Sequence, residues 1–265
     1  MVKPAIYRIV SVSKKTGKTK LITLLAKELM AQGVEVAVIK HSVKGIDLKG
    51  KDTSRFASVG VKRIVFVSPR ETVLFIKQGD ESLNSALALL EPLYPIILVE
   101  GFKSEREGKI IGLISSSNDV RYYLDYKESI IALVCTSTGI AQEIKDKLYT
   151  TAQRVFIGIN KRTARSLAKI IVEDAIKYVH SQLPKLDCGH CGYATCMDYA
   201  RALVLSLTRE PCPQRLDVVL KVDKKDVPLG PYPKRIFMNV IQALINTLKG
   251  VPKDYKEVEV KISKD

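Results

Sequence analysis

Apolar runs of strand length recur along this chain, and amphipathic helical patterns separate several of them. The runs are nearly continuous in Val, Ile and Leu, which is typical of strands that are covered on both faces. They span residues 5–12, 34–40, 62–68, 72–77, 95–101, 109–115, 129–137 and 154–160. Helical periodicity is found at residues 18–33, 81–93 and 162–183. This alternation predicts an α/β fold with a mostly parallel sheet flanked by helices.

The end of a phosphate-binding loop stands between the first strand and the first helix. Residues 12–19 read VSKKTGKT, and the last three match the Walker A pattern G-x-x-x-x-G-K-S/T. In that pattern backbone N–H groups surround phosphate oxygens, the lysine reaches the terminal phosphates and the hydroxyl meets Mg²⁺. Val12 replaces the first glycine, which weakens the motif without removing the chemistry of its end. The predicted nucleotide-binding residues are Ser13, Lys14, Lys15, Thr16, Gly17, Lys18 and Thr19.

A magnesium ion held beside phosphates usually takes one or two protein carboxylates as well. Glu100 ends the apolar run PIILVE, where parallel strands present ligands at their carboxyl ends. We therefore expect Thr19 and Glu100 to hold Mg²⁺; the alternative for Glu100 is a solvated or helix-capping carboxylate.

A second anion site is indicated by the cation-rich stretch that follows the second strand. This stretch suits a phosphate of another substrate, and a solvated loop is the alternative. The predicted pocket residues are Lys40, His41, Lys51, Asp52 and Arg55.

Four of the five cysteines lie between residues 188 and 212, with the spacing Cys188-x2-Cys191-x4-Cys196-x15-Cys212. Three close thiolates and one remote thiolate on a glycine-relieved loop favour an iron-sulfur cluster, because structural zinc usually takes two separated pairs. Zinc remains the alternative. The fifth, Cys135, lies in an apolar run and is interpreted as a buried small hydrophobe.

The chain carries 43 Lys+Arg against 28 Asp+Glu, a net charge of +15. This balance indicates acidic partners such as nucleotides, and a lysine-rich solvated surface is the alternative. Nucleic acid is disfavoured because aromatic residues make up 6% and no basic base-reading helix stands out. Without a long uncharged apolar run or a cleavage site, we expect a cytoplasmic protein that does not enter membranes.

Pro184 marks the expected boundary between a large and a small part of the chain. We predict a nucleotide-binding domain at 1–183, a four-cysteine module at 184–215 and a small α+β extension at 216–265. The extension should contain two short strands within 216–230, a helix at 233–250 and a strand at 256–262.

Three ordered segments together resemble the molybdopterin-guanine dinucleotide biosynthesis protein B (MobB) family. They are GKT at 17–19, VIKH to GKDTSR at 38–55 and ILVEGFK at 97–103. The resemblance covers roughly the first 160 residues. It implies a P-loop GTP-binding homodimer, at most a slow GTPase, that assists guanylation of molybdopterin for molybdenum or tungsten enzymes.

By that resemblance Lys18 and Thr19 would hold the phosphates and Mg²⁺, and Glu100 would lie near the metal. Lys40, His41, Asp52 and Arg55 would line the adjoining pocket. Two departures, Val12 in place of glycine and Pro95 in place of an acidic residue, predict reduced nucleotide affinity or hydrolysis. Asn160-Lys161 begins like the guanine-reading N-K-x-D motif, but Thr163 replaces its aspartate, so we interpret this match as coincidental.

The region from LPKLDCGHCGYATC to REPCPQR resembles small four-cysteine 4Fe-4S domains that are appended to redox proteins. The resulting prediction is a GTP-binding accessory protein that docks on a guanylyltransferase or client enzyme and carries a cluster of redox or docking role. Two alternatives remain: an iron-sulfur electron carrier or sensor with a degenerate P-loop, and a zinc-stabilised nucleic-acid-binding protein.

Overall fold

The computed structural model describes residues 2–13, 15–42, 63–76, 82–90, 93–147, 154–214, 218–223, 225–227, 229, 231–251 and 258–262. The strands are β1 Ala5–Ser11, β2 Val36–Lys40, β3 Arg63–Val67, β4 Thr72–Ile76, β5 Ile96–Glu100, β6 Lys109–Ile114, β7 Ile130–Cys135, β8 Arg154–Ile157, β9 Leu220–Val222 and β10 Lys225–Val227. The α-helices are α1 Lys18–Met30, α2 Leu83–Ala88, α3 Val120–Leu124, α4 Thr138–Lys147, α5 Lys161–Ser181, α6 Cys196–Val204 and α7 Pro231–Thr247.

Six strands form one sheet in the order β2-β5-β1-β6-β7-β8, and every neighbouring pair is parallel. The predicted α/β architecture with a mostly parallel sheet is therefore confirmed. All seven residues of β1 are buried, as expected of a central strand that is covered on both faces.

The two sides of β1 meet different partners. Ile6 and Val10 join apolar clusters that also contain residues of α2 and α3. The Tyr7 side chain reaches α5, where its hydroxyl donates to the backbone oxygen of Ile171 at 3.1 Å and to Asp174 at 2.8 Å. Burial and the neighbouring carboxylate raise the pKa of Tyr7 well above its ordinary value, so the phenol stays protonated and keeps donating.

Two of the eight predicted core strands lie outside this sheet. Among the described residues, strands β3 and β4 pair only with each other, as an antiparallel hairpin whose turn is closed by Ser68 N–H donating to the Glu71 carbonyl at 2.9 Å. The reason is the short connection, since parallel neighbours need a crossover of about a dozen residues.

The chain divides into two compact units, residues 1–189 with 193–210, and residues 190–192 with 211–265. Within the second unit β9 and β10 form the expected antiparallel pair, and α7 follows. The predicted strand at 256–262 is wrong for its described part, because residues 258–262 adopt no strand pairing and Val258, Val260 and Ile262 are exposed. Alternation produces a strand only where a neighbouring strand supplies hydrogen bonds.

Within the described part of the chain, no helix combines the length and apolar character that crossing a lipid bilayer requires.

Candidate functional site

The phosphate loop runs from the end of β1 to the start of α1, and Gly17 is its last non-helical residue. Gly17 has φ 91°, in the left-handed region that favours glycine. A Cβ atom at this position would also lie 2.6 Å from Cδ1 of Ile159. The backbone angle therefore requires glycine at the position that the motif assigns to it, whereas the contact is with the end of a flexible side chain that can rotate away.

Helix α1 begins without a side-chain cap and has no acidic residue in its first turn. Its first N–H groups have no partner within the helix, and the helix dipole places partial positive charge there. With thirteen residues and Lys18 at its first position, α1 presents an N-terminus suited to phosphate oxygens.

The Ser11 hydroxyl organises the loop. It accepts hydrogen bonds from Lys18 Nζ at 2.7 Å and Thr16 Oγ1 at 2.8 Å, and it donates to the Ser13 carbonyl at 2.7 Å. Ser11 is fully buried at the end of β1. Sequence analysis missed this residue, because the phosphate-loop pattern begins one position later.

The Lys18 ammonium group lies in a partly desolvated position. Burial first, and then the positive charge of Lys103, lower the pKa of Lys18 from its ordinary value of 10.5, while Glu100 opposes the shift. A cation in this environment gains more from an arriving phosphate than a solvated lysine would, because its charge is incompletely screened by water.

Thr19 and Glu100 lie together at the carboxyl edge of the sheet. The Thr19 hydroxyl donates to both carboxylate oxygens of Glu100, each at 3.0 Å. The register places Glu100 opposite Ile9 of β1 and Lys40 of β2, and Lys40 Nζ lies 3.8 Å from Glu100 Oε2. A hydroxyl and a carboxylate are oxygen donors of the kind that Mg²⁺ prefers, so this pair fits that ion chemically.

Part of the predicted second pocket adjoins Glu100. The His41 N–H donates to the Glu100 carbonyl at 2.9 Å, and the His41 ring lies 4.6 Å from the Phe102 ring between centroids. Gly101, which lies between Glu100 and Phe102 in the chain, has φ 102°, and an added Cβ would lie 3.0 Å from Cβ of His41. The structure thus brings Lys40 and His41 to the sheet edge where Thr19 and Glu100 lie, whereas Lys14, Lys51, Asp52 and Arg55 lie outside the described residues.

Asn160, the first residue of the incomplete guanine-reading motif, caps the N-terminus of a helix. Its side-chain oxygen accepts the Thr163 N–H at 3.0 Å and caps the N-terminus of α5. Thr163, at the aspartate position of that motif, is 5% exposed. An asparagine that caps a helix in this way satisfies a backbone donor of the first turn.

The four clustered cysteines are divided between the two units. In the first unit Cys188 is exposed, while Cys196 is buried as the first residue of α6 and its N–H donates to Asp187 Oδ1 at 2.6 Å. In the second unit Cys191 and Cys212 are half-buried.

The cysteine loop also has glycines where its backbone turns. Gly189 and Gly192 have φ of 71° and 85°. Across the described ranges, no three His, Cys, Asp or Glu side chains lie close enough together to hold a metal ion. Support for the four thiols as ligands therefore comes from their chemistry and spacing.

Cys135 is fully buried at the end of β7, and burial raises the pKa of its thiol to about 11. It is therefore a protonated, packed side chain at neutral pH, as expected from its apolar run.

Lys103 is a second residue that sequence analysis did not assign to the site. Its Nζ donates to the Val12 carbonyl at 2.7 Å. The available signal was its position at the end of the ILVEGFK segment, three residues after the candidate metal ligand Glu100.

Comparison with known proteins gives two family matches. The family described as "MobB: Molybdopterin guanine dinucleotide synthesis protein B" matches residues 6–136, which include the phosphate loop and Glu100. The family described as "Putative Fe-S cluster" matches residues 183–213, which include all four clustered cysteines.

Individual relatives agree with these matches. The "Putative molybdopterin-guanine dinucleotide biosynthesis adapter protein" of Methanocaldococcus jannaschii is 30% identical over 257 residues, covering 95% of each chain. The "Molybdopterin-guanine dinucleotide biosynthesis adapter protein" of Haemophilus influenzae is 32% identical over 100 residues, covering 36% of this chain and 56% of the relative.

The crystal structure of Bacillus subtilis MobB is similar with a TM-score of 0.49 at 16% identity, covering 63% of this chain and 97% of that one. Residues 183–213 of this chain match the family described as "Putative Fe-S cluster". Since the M. jannaschii relative matches along nearly the whole length, the chain belongs to the MobB family of molybdopterin-guanine dinucleotide biosynthesis adapter proteins.

Proposed function

We propose that this adapter protein binds GTP together with Mg²⁺ at the phosphate loop and assists the guanylation of molybdopterin. The observation that carries the proposal is the pairing of Thr19 with Glu100 at the N-terminus of α1, beside Lys18. Backbone N–H groups that can bind phosphate, a cation and two oxygen ligands for a metal thus converge at one sheet edge.

The loop residues divide the work of binding phosphate. Backbone N–H groups at residues 17–19 would surround the phosphate oxygens, as at other helix N-termini. The Lys18 ammonium would exchange its hydrogen bond with Ser11 for a charged bond to phosphate, which is the stronger interaction.

The Thr19 hydroxyl and the Glu100 carboxylate would hold Mg²⁺. When bound, this ion would neutralise part of the phosphate charge. Glu100 has a second role in the free protein, because it attracts Lys40 and accepts from Thr19.

Lys40 and His41 would form the near side of a second anion pocket, with Lys51, Asp52 and Arg55 as its proposed remainder. A phosphate-bearing molybdopterin, or a segment of the guanylyltransferase or client enzyme, is the occupant that we assign to it. The chain would then hold a guanine nucleotide and a cofactor close together and present them to a partner enzyme. Because Val12 replaces the first glycine of the loop, we expect slow GTP hydrolysis at most. Membership of the MobB family also leads us to expect a homodimer.

Cys188, Cys191, Cys196 and Cys212 would hold a 4Fe-4S cluster. The support is the three-plus-one spacing of these thiols and the family match over residues 183–213. Such a cluster would supply a one-electron redox centre or a rigid docking element, and zinc is the competing occupant.

One observation favours a second candidate, an iron-sulfur electron carrier or sensor whose P-loop has lost nucleotide binding. Val12, 40% exposed, occupies the first glycine position of the motif. That candidate predicts reversible cluster reduction without affinity for GTP.

Calorimetric titration with GTP and Mg²⁺ tests the proposal. Wild-type protein should release heat on binding GTP, and Lys18→Ala should lose binding. The matched control is Lys20→Ala, which removes an exposed lysine of the same helix turn and should bind GTP as wild type does. Anaerobic purification followed by iron, sulfide and zinc quantification distinguishes the cluster from zinc. Equal GTP binding by wild type and Lys18→Ala, or none by wild type, would contradict the nucleotide proposal.

A further inference from the structure

One side chain of the loop that follows Glu100 contacts the phosphate loop. Lys103 Nζ donates to the backbone oxygen of Val12 at 2.7 Å. Val12 is the residue at which the phosphate loop begins. The two segments that supply the metal-binding pair are thus joined by a second contact, which brings an additional ammonium group to the phosphate loop.

The loop that follows Glu100 is hydrogen-bonded to a buried arginine of β1. Arg8, fully buried in β1, donates through Nη1 to the Phe102 carbonyl at 3.0 Å and through Nε to the Glu107 carbonyl at 2.7 Å. The guanidinium therefore grips both ends of the loop with its rigid planar fork. The Tyr122 hydroxyl adds a third bond, to the Lys103 carbonyl at 2.6 Å.

The backbone of the loop is constrained as well. Phe102 has φ 52°, in the left-handed region that a bulky residue rarely adopts. Such a conformation persists where the surrounding structure over-determines it, and it is common at ligand-binding positions. Arg8 constrains the backbone at the Phe102 carbonyl, and Tyr122 constrains it at the carbonyl of the next residue, Lys103.

Two ammonium groups, those of Lys18 and Lys103, lie beside the phosphate loop in the free protein. Lys103 Nζ donates to the Val12 carbonyl and Lys18 Nζ donates to the Ser11 hydroxyl, so the two ammonium groups bond to adjacent residues at the start of the phosphate loop. Two ammonium groups that approach each other are unfavourable unless an anion joins them. Glu100 provides one negative charge and is already paired with Lys40 at 3.8 Å, so a polyphosphate would complete the balance.

We propose that Lys103 is a second phosphate-binding cation of the GTP site, held in place by Arg8 and Tyr122 as positioning residues. This inference rests on the proposed binding of GTP at the phosphate loop. On binding, Lys103 would exchange its hydrogen bond with the Val12 carbonyl for one with an oxygen of the terminal phosphates, the part of the nucleotide that Lys18 also reaches. It therefore contributes to the preference for GTP over GMP.

The test is calorimetric titration of the full chain with GTP and with GMP, each in the presence of Mg²⁺. Lys103→Met keeps the aliphatic stem and removes the charge, and should weaken GTP binding by about tenfold with little change for GMP. Lys103→Arg should retain most of the GTP affinity. Arg106→Gln, which removes an exposed charge from the same loop, should match wild type.

Tyr122→Phe tests the positioning role, because it removes one hydroxyl and keeps the ring. It should lower the ratio of GTP to GMP affinity by about two- to fivefold, a ratio that general loss of stability would not change.

The outcomes separate this inference from the proposed function. If Lys18→Ala abolishes GTP binding while Lys103→Met binds GTP as wild type does, Lys103 has no phosphate role and the nucleotide site stands. If Lys103→Met weakens GTP and GMP equally, its role is only to support Val12, and the inference is wrong. If Lys18→Ala binds GTP normally, both proposals are wrong.

Discussion

The hydroxyl of Thr19 lies 3.0 Å from each carboxylate oxygen of Glu100. The two residues are 81 positions apart in the chain. Their proximity follows from the parallel pairing of β1 with β5, because one strand leads into the phosphate loop and the other ends at the carboxylate.

This pair predicts that GTP binding depends on the metal. Glu100→Gln replaces a charged ligand by a neutral amide, and we expect GTP affinity in Mg²⁺ to fall about tenfold or more. In EDTA, wild type and variant should bind with similar weak affinity. Thr23→Ala, a hydroxyl loss one turn further along α1, serves as the control, and an equal loss in both buffers would contradict a metal role for Glu100.

Gly17→Ala should destabilise the fold as well as the site. The added Cβ meets Ile159 at 2.6 Å, and the backbone angle of φ 91° disfavours any L side chain. We expect a loss of about 1–3 kcal/mol in the free energy of unfolding, measured by urea denaturation. Adding Ile159→Ala should recover only the part due to the clash, since the backbone strain remains. Unchanged stability in Gly17→Ala would show that the loop adopts another conformation.

The lowered pKa of Lys18 predicts how the phosphate loop responds to pH. Its charged form is penalised in the folded chain by burial and by Lys103, so this penalty is fully present below the lowered pKa. The stability contribution of Lys18 should therefore rise with pH between the lowered pKa and 10.5, where the unfolded state holds more protons.

A direct measurement is the titration of the Lys18 Nζ resonance by NMR in labelled protein. Lys103→Met should raise the pKa of Lys18 by removing a like charge, and Glu100→Gln should lower it by removing the opposing carboxylate. A titration of Lys18 at the ordinary lysine value in wild type would contradict the environment described for it.

Asn160 offers a test of capping against guanine recognition. Asn160→Ala removes the side-chain oxygen that accepts the Thr163 N–H, and should cost about 1 kcal/mol in the free energy of unfolding. Asn160→Asp should keep most of that stability because aspartate caps equally well. The ratio of GTP to ATP affinity should be unchanged in both variants, and a reduced ratio would assign Asn160 to base recognition after all.

The proposed cluster predicts a clear division among the five cysteines. Serine at Cys188, Cys191, Cys196 or Cys212 should lower iron and acid-labile sulfide per chain and bleach the visible absorbance. Cys135→Ala should leave the iron content unchanged, since this thiol is buried in β7. Full iron content in any of the four serine variants would remove that residue from the ligand set.

Local chemistry accounts for most of what could be predicted without the structure. The period of the apolar residues indicated strands and helices, and GKT before an amphipathic helix indicated the phosphate loop, because both signals depend on neighbouring residues. The capping role of Asn160 is also a short-range effect, yet it was obscured by the resemblance of Asn160-Lys161 to a longer motif.

The pairing of strands was harder to predict from the sequence. The two apolar runs that form the β3–β4 hairpin have the composition of central strands, and only their four-residue connection excludes them from the parallel sheet. The alternating segment near the C-terminus failed as a strand for a related reason, since residues 258–262 pair with no strand among the residues that the structure describes.

The order of residues along the chain thus specified the α/β class, the phosphate loop and the four clustered thiols, since each depends on spacing over a few residues or on side-chain chemistry. The fold itself placed Glu100 against Thr19, buried the Ser11 hydroxyl under Lys18, and directed Lys103 to Val12 through a loop held by Arg8. Apart from the Ser11–Lys18 bond, whose partners are seven positions apart, these contacts join residues 81 to 99 positions apart, so they depend on strand order and register, which no local pattern encodes.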